Sequence, residues 1–267
     1  MRRSANKTLH SLSVMWSKRH FMWLSIRAEM KAACYAGSWL GSGWWLLEPL
    51  LLMFVYLFVV QVLRGDKSSP FGALFIFCGV LPYRWFAMTM SRSMGCILTG
   101  GNLIKQVPFP KMMLPIAATI ANTLHFLFGC VILVVMLFLY KVPLSPLVLW
   151  FPFIVLVQFV MSLAFALFLA SATVFVRDVQ GIVPFLLRTL LFVSPILYNL
   201  EDVPKEMQGL YMFNPLTSVV TSYKYVLLYQ RPPLLGPLLI VLAVSLLLIA
   251  GGVLLTVRLD KIYARWL

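Results

Sequence analysis

Acidic residues are scarce in this 267-residue chain: eight Asp and Glu stand against 22 Lys and Arg, and charged residues of both signs make up only 11%. With 61% of residues hydrophobic, a water-soluble fold of this length would leave far too much apolar surface exposed, so that class is excluded. Chemical motifs are missing too. No G-x-x-x-x-G-K-[ST] phosphate loop occurs; Gly65-Asp66-Lys67-Ser68 is the nearest approach and lacks the Gly-Lys step. H-E-x-x-H and G-x-S-x-G are absent, and the histidines (His10, His20, His125) are far apart. No ladder of intramembrane carboxylates suits a proton relay. The cysteines (Cys34, Cys78, Cys96, Cys130) share no ligand spacing and sit in or beside apolar runs, as small core residues do. Nothing in the first thirty residues reads as a cleavable signal peptide, and no loop is long enough to form a soluble domain. The chain therefore reads as a non-enzyme with no catalytic residues, metal or cofactor of its own. Any uphill work it does must be driven by another polypeptide.

What remains is apolar length. A bilayer core is roughly 30 Å thick, so a spanning helix needs about 20 apolar residues. The stretches 112–140, 142–176 and 232–257 carry no charge at all. Three further runs carry one each: Glu48 within 44–63, Arg84 within 71–91, and Arg188 within 179–200. The expected fold is all-α and integral to the membrane. Its six transmembrane helices lie at about 44–63, 71–92, 112–140, 147–176, 179–200 and 234–257, in one membrane domain over residues 1–267. Before the first span lie Arg2, Arg3, Lys7, Lys18, Arg19, Arg27 and Lys31 against one acid, Glu29. Alternate loops add Arg92, Lys105, Lys111, Arg177, Arg188, Arg258, Lys261 and Arg265, which puts both termini in the cytoplasm. The +14 charge borders a membrane throughout, so anionic headgroups rather than nucleic acid are the expected partner.

The segments between spans are informative. Residues 11–31 fit an interfacial amphipathic helix, with Leu12, Met15, Trp16, Met22, Trp23, Ile26 and Met30 on one side; an irregular cytoplasmic arm is the alternative. The first internal loop, Ser93 to Lys111, has Gly100-Gly101 to end the preceding helix. Its short amphipathic turn then offers Leu103, Ile104 and Val107 to a cytoplasmic partner. In the external segment 201–233, Pro204 opens a short helix through about Phe213, Asn214-Pro215 breaks it, and a second helix runs from Leu216 to Tyr229. That second helix is too polar at Thr217, Ser218, Thr221, Ser222 and Lys224 to face lipid. The pair either dips back into the outer half of the protein or lies on its surface.

Ionisable residues at membrane depth are functional candidates. Glu48 lies near the cytoplasmic end of the first span, and Pro184 as a helix start would put Arg188 near that side too. Glu48 is therefore expected to pair with Arg92 or Arg188 rather than with Arg84, which lies higher. Tyr56, Tyr83, Trp85, Tyr198 and Tyr223 combine a flat ring with a polar tip, suiting a channel that passes sugar units.

Tyr35-x-x-Ser38-x-Leu40-Gly41-x-x-Trp44-x4-Pro49, Asn102-Leu103-Ile104-Lys105 followed by Pro108-Phe109-Pro110, Phe175-Val176-Arg177-Asp178, Pro195-Ile196-Leu197-Tyr198 and Asn214-Pro215-Leu216 occur in this order. Together they resemble the membrane subunit of ABC transporters that export polysaccharide, the Wzm-type O-antigen permeases and their capsule and teichoic-acid relatives. The resemblance implies a homodimer in the bacterial cytoplasmic (inner) membrane, paired with two copies of an ATP-binding subunit that carries the ATP and Mg. It implies ATPase coupling at Leu103, Ile104, Lys105 and Val107, an external gate at 204–229, and a channel between spans one and five for a lipid-pyrophosphate-linked polymer. Arg19, Arg27 and Lys31 would contact the pyrophosphate. An ABC permease for a drug or small lipid, and a membrane enzyme acting on lipid-linked sugars, are the rival readings.

Overall fold

The computed structural model describes residues 19–33, 72–99, 109–143 and 145–266, together with positions 43, 47, 50, 51, 53–55 and 58; at 19–21, 31–33 and 257–266 it describes the backbone alone. The expectations for residues 11–18, for Glu48 and Tyr56 in the first span, and for Leu103, Ile104, Lys105 and Val107 fall outside the described residues. Among the described residues every regular element is a helix. They are α1 (Arg19–Ala33), α2 (Gly72–Thr99), α3 (Met113–Leu139), α4 (Phe151–Phe175), α5 (Val179–Val193), α6 (Lys205–Met212), α7 (Pro215–Lys224) and α8 (Leu235–Trp266). Four helical segments, 72–99, 113–139, 146–175 and 235–256, are long and apolar enough to cross a membrane, and α5 is a shorter apolar helix.

The ends of these helices follow local chemistry. Lys141 takes a left-handed φ of 51°, and the Val142 amide returns to the Leu137 carbonyl at 3.1 Å, closing α3 with a backward-reaching cap. Pro146 and Pro152 start the two stages of the next span, a 3₁₀ turn (Pro146–Trp150) leading into α4, where their missing amides cost nothing. At α7 the Asn214 side chain accepts from the Leu216 amide at 3.1 Å and Pro215 occupies the first helical position.

Helix α2 is the hub. It packs against α3, α4, α5 and α7, and nearly all of its N-terminal half is buried, from Ala73 through Tyr83. Pro82 lies inside it, and its carbonyl accepts from Gln158 Nε2 of α4 at 2.7 Å, the kind of neighbour contact that makes a proline tolerable in a spanning helix. Helix α8 runs along α4, where Ser171 and Thr256 hydroxyls meet at 3.1 Å between small residues. Helix α1 lies against α3.

Three sequence expectations change. Helix α2 continues to Thr99 rather than ending near residue 92, because nothing before Gly100 interrupts it. Pro184 does not start the fifth span: α5 begins at Val179, and the proline sits one turn inside, removing a single interior amide. The same helix stops at Val193 rather than reaching residue 200, where Ser194-Pro195 turns the chain.

Candidate functional site

The short helices α6 and α7 differ sharply in environment. Helix α6 buries none of its residues, and Phe213 beyond it is exposed. Helix α7 is buried at every position from Leu216 to Lys224 and packs on α2, α4 and α8. The second helix of the pair is therefore inserted in the fold, which accounts for its hydroxyl-rich composition in a stretch with no lipid contact.

Lys224 explains how it is held there. Its ammonium, 2% exposed, donates to the carbonyls of Pro195 at 2.8 Å, Ile196 at 2.9 Å and Tyr198 at 3.0 Å. The Phe75 ring of α2 lies 3.7 Å from the same nitrogen, a cation–π contact on its remaining side. The turn after α5 cannot satisfy its own carbonyls, and Lys224 supplies three donors to it. Asn214 adds a second tie through its amide to Ser194 Oγ at 2.8 Å.

Toward solvent the same region is laced by exposed polar contacts. Arg231 pairs with Glu201, Tyr225 donates to that carboxylate at 3.3 Å, and Tyr229 donates to Asn199 Oδ1 at 3.2 Å. The Arg231–Glu201 partners are more than half exposed, so solvent screens the pair. Glu201→Gln is expected to cost less than about 1 kcal/mol in thermal melting of the detergent-solubilised protein.

A second feature lies between α2 and α5. A cavity of about 480 Å³ is lined by Arg84, Arg92 and Arg188, with Val80, Ala87, Met88, Ser91, Leu191 and Phe192 between them. On its wall the Tyr83 hydroxyl donates to the Leu187 carbonyl at 2.6 Å, fixing the register of the two helices. Arg84 and Arg188 are the next residues along, so the hydrogen bond sits beside two of the arginines that line the cavity. At 1.5 Å per residue Arg84 lies about 18 Å from the N-terminal end of α2 and about 22 Å from its C-terminal end. Arg92 sits about 12 Å further along the same helix. An arginine at the centre of a spanning helix costs about 3 kcal/mol on insertion scales, which makes Arg84 a functional candidate.

All three arginines line this one cavity, while Glu48, expected to pair with Arg92 or Arg188, lies outside the described residues. The acid facing Arg92 among the described residues is Glu29 of α1. Burial pushes its carboxyl pKa above the usual range, and the Arg92 guanidinium pulls it partly back. Sequence reasoning missed Glu29 because the contact depends on how α1 lies against the bundle.

The proposed channel aromatics are also sorted. Trp85 is buried and stacks on Phe126 at 4.3 Å between ring centroids, and Tyr223 is buried against Phe151. Both rings are buried within the chain, and that of Tyr83 is nearly so, on the wall of the cavity between α2 and α5. Tyr198 is half-buried, edge-on to Tyr211, with its hydroxyl on the Phe192 and Val193 carbonyls. Arg27 is exposed and lies over the Trp23 ring at 4.8 Å; Arg19 and Lys31 lie on α1, where the backbone alone is described.

An all-helical bundle, with a wholly buried internal helix beside the last span, now has a match among known families. Residues 21–228 fit the family described as ABC-2 type transporter. The chain belongs to this family. Among similar proteins, the O-antigen export system permease protein RfbA of Myxococcus xanthus is 34% identical over 228 residues, 84% of this chain and 86% of that protein. A Klebsiella pneumoniae protein of the same name is 26% identical over 71% of this chain and 73% of its own. The polysialic acid transport protein KpsM of Escherichia coli is 25% identical over 68% of this chain and 71% of its own. The ABC-2 match runs from within α1 to just past α7, so Lys224 with the turn it holds and the cavity between α2 and α5 fall inside the shared region.

Proposed function

We propose that this chain is the membrane-spanning permease subunit of an ABC exporter that moves a lipid-linked, O-antigen-like polysaccharide across the bacterial inner membrane, driven by a separate ATP-binding subunit. The observation that carries the reading is the 34% identity to an O-antigen export permease along nearly the full length of both proteins. The weaker likeness to a polysialic acid transport protein keeps a capsule-type polymer as the second cargo. A drug or small-lipid cargo, or an enzyme of lipid-linked sugars, draws no support from these relatives.

In this reading two copies of the chain and two ATP-binding subunits assemble, with six spans per copy and both termini in the cytoplasm. The outer face of α5 favours the dimer. Ile182, Phe185, Leu186 and Phe192 are exposed there around the exposed Arg188, a mixture that suits a protein-lined face better than lipid. Helices α6 and α7 form the external gate, Tyr56 and Tyr198 line the passage, and Arg19, Arg27 and Lys31 receive the pyrophosphate at the inner interface. Leu103, Ile104, Lys105 and Val107 dock on the ATP-binding subunit.

Coupling is the direct test. Leu103→Asp with Ile104→Asp is expected to lower ATP turnover of the co-purified complex and surface polymer together, by about tenfold or more, the loss of one apolar hot spot. Membrane levels of the chain should stay unchanged. Undiminished export by this variant would remove the loop from the coupling path.

A further inference from the structure

We propose that Pro82 is a hinge in α2 and that Gln158 of α4 is its positioning residue, holding the joint as it stands here and receiving it when it bends. The proposal rests on the export reading only for what drives the bend.

Proline interrupts the helix ladder at one place. It has no amide to give the Cys78 carbonyl one turn back, and sharp helix bends gather at such positions. The halves of α2 that meet there differ. From Ala73 to Tyr83 the helix is buried throughout and fastened at three points. The Phe75 ring lies 3.7 Å from the Lys224 ammonium, and the Tyr83 hydroxyl donates to the Leu187 carbonyl at 2.6 Å. Gly79 lets the Ile196 carbonyl come so near that a Cβ would sit 2.7 Å from its oxygen. Beyond the proline the packing loosens: Arg84, Ala87, Met88, Arg92 and Gly95 are half-buried and Ser91 is exposed. A fastened half and a looser half thus meet at an interrupted ladder.

Gln158 stands at the joint. It is fully buried, and its Nε2 donates to the Pro82 carbonyl at 2.7 Å. A carboxamide offers an acceptor oxygen as well as its donor hydrogens. Among the described residues Gln158 Oε1 has no partner, and neither has Ser162 Oγ one turn along the same face of α4. A buried acceptor without a donor is unfavourable, and an apolar side chain at either position would avoid that cost. Bending supplies the donors. As the helix opens, backbone amides just past Pro82 leave their carbonyls, and Oε1 is bonded to the same carbon as the nitrogen already on Pro82. One side chain then serves both settings, through its nitrogen in the first and its oxygen in the second.

The geometry makes such a bend large at its far end. From Pro82 to Thr99 the helix rises about 25 Å, so a bend of about 20° would carry Thr99 about 9 Å. Thr99 leads into the loop of Leu103 and Ile104, while the fastened half keeps the turn held by Lys224 in place.

The test uses the full chain with its ATP-binding subunit in nanodiscs, with the native cysteines changed to alanine. Spin labels on Thr99→Cys and Val176→Cys mark the exposed C-terminal end of α2 and the exposed residue just past α4. Their separation, read by double electron–electron resonance, should shift by several ångströms between the nucleotide-free and the vanadate-trapped complex. Pro82→Ala restores the amide; it should abolish the shift and cut polymer exported per ATP about tenfold, with ATP turnover kept. Pro82→Gly restores the amide but leaves the backbone soft, so most of the shift and of the export should remain. Gln158→Leu removes both polar atoms and should broaden the distance distribution in both states. An unaltered chain whose label separation ignores nucleotide, or a Pro82→Ala chain that shifts and exports like it, overturns the proposal. Unchanged distributions in Gln158→Leu overturn the role given to the glutamine. A proline-dependent shift in a complex that exports no polymer would leave the hinge standing and sink the export reading instead; export without any shift would do the reverse.

Discussion

Lys224→Met is expected to be the most damaging single substitution in the described part of the chain. Methionine keeps the length and most of the volume of the stem, so packing is little changed. What disappears is one ammonium and its three hydrogen bonds to the carbonyls of Pro195, Ile196 and Tyr198. Each buried acceptor left without a donor costs about 1–3 kcal/mol, and after some relaxation the sum is about 3–5 kcal/mol. The damage should be local first. Limited proteolysis of the purified variant is expected to cut between residues 194 and 200 well before the rest of the bundle yields, and its melting temperature should fall sharply. A variant that melts like the unaltered protein would mean that the turn after α5 holds itself.

Gly79 is the second position where a small change should have a large effect. It lies on α2 directly beneath that same turn, and a Cβ there would sit 2.7 Å from the Ile196 carbonyl oxygen. The obstacle is backbone already held by Lys224, so it cannot step aside cheaply. Gly79→Ala is expected to cost about 1–3 kcal/mol, and Gly79→Val more. Gly129 of α3 is the natural comparison. A Cβ there would also collide, but with the end of the Leu81 side chain, which has other rotamers to adopt. Gly129→Ala should therefore melt closer to the unaltered protein than Gly79→Ala does. The reverse order would show that the turn is softer than its hydrogen bonds imply.

The sequence carried the bundle better than its interior. Charge-free stretches such as 112–140 contain the apolar helical segments 113–139, 146–175 and 235–256, because hydrocarbon thickness sets a minimum length that composition displays directly. The polarity of Thr217, Thr221 and Lys224 also pointed correctly away from lipid contact. It could not choose between surface and interior, since both tolerate hydroxyls when partners are present, and partners come from other elements. The same limit governed the aromatics. A polar-tipped ring looks alike in a channel and in a core, and only the stacking of Trp85 on Phe126 tells them apart. Pro184 reads as a helix start in sequence but is an interior residue of α5, since a proline one turn in removes only a single interior amide. The contact that joins α2 to α5 is a tertiary fact, carried by one tyrosine hydroxyl on a backbone oxygen.

Helix α5 has 15 residues, about 22 Å of helix against a hydrocarbon slab of roughly 30 Å, while α3 with 27 residues runs to about 40 Å. One molecule thus carries helices of two lengths. Acyl chains beside α3 meet a wall taller than themselves, whereas α5, with its exposed face turned to protein in the dimer, leaves the rest of its crossing to neighbouring protein. Performance of this protein should accordingly follow the tail length of the lipid beside α3, with short-tailed membranes penalising that side most.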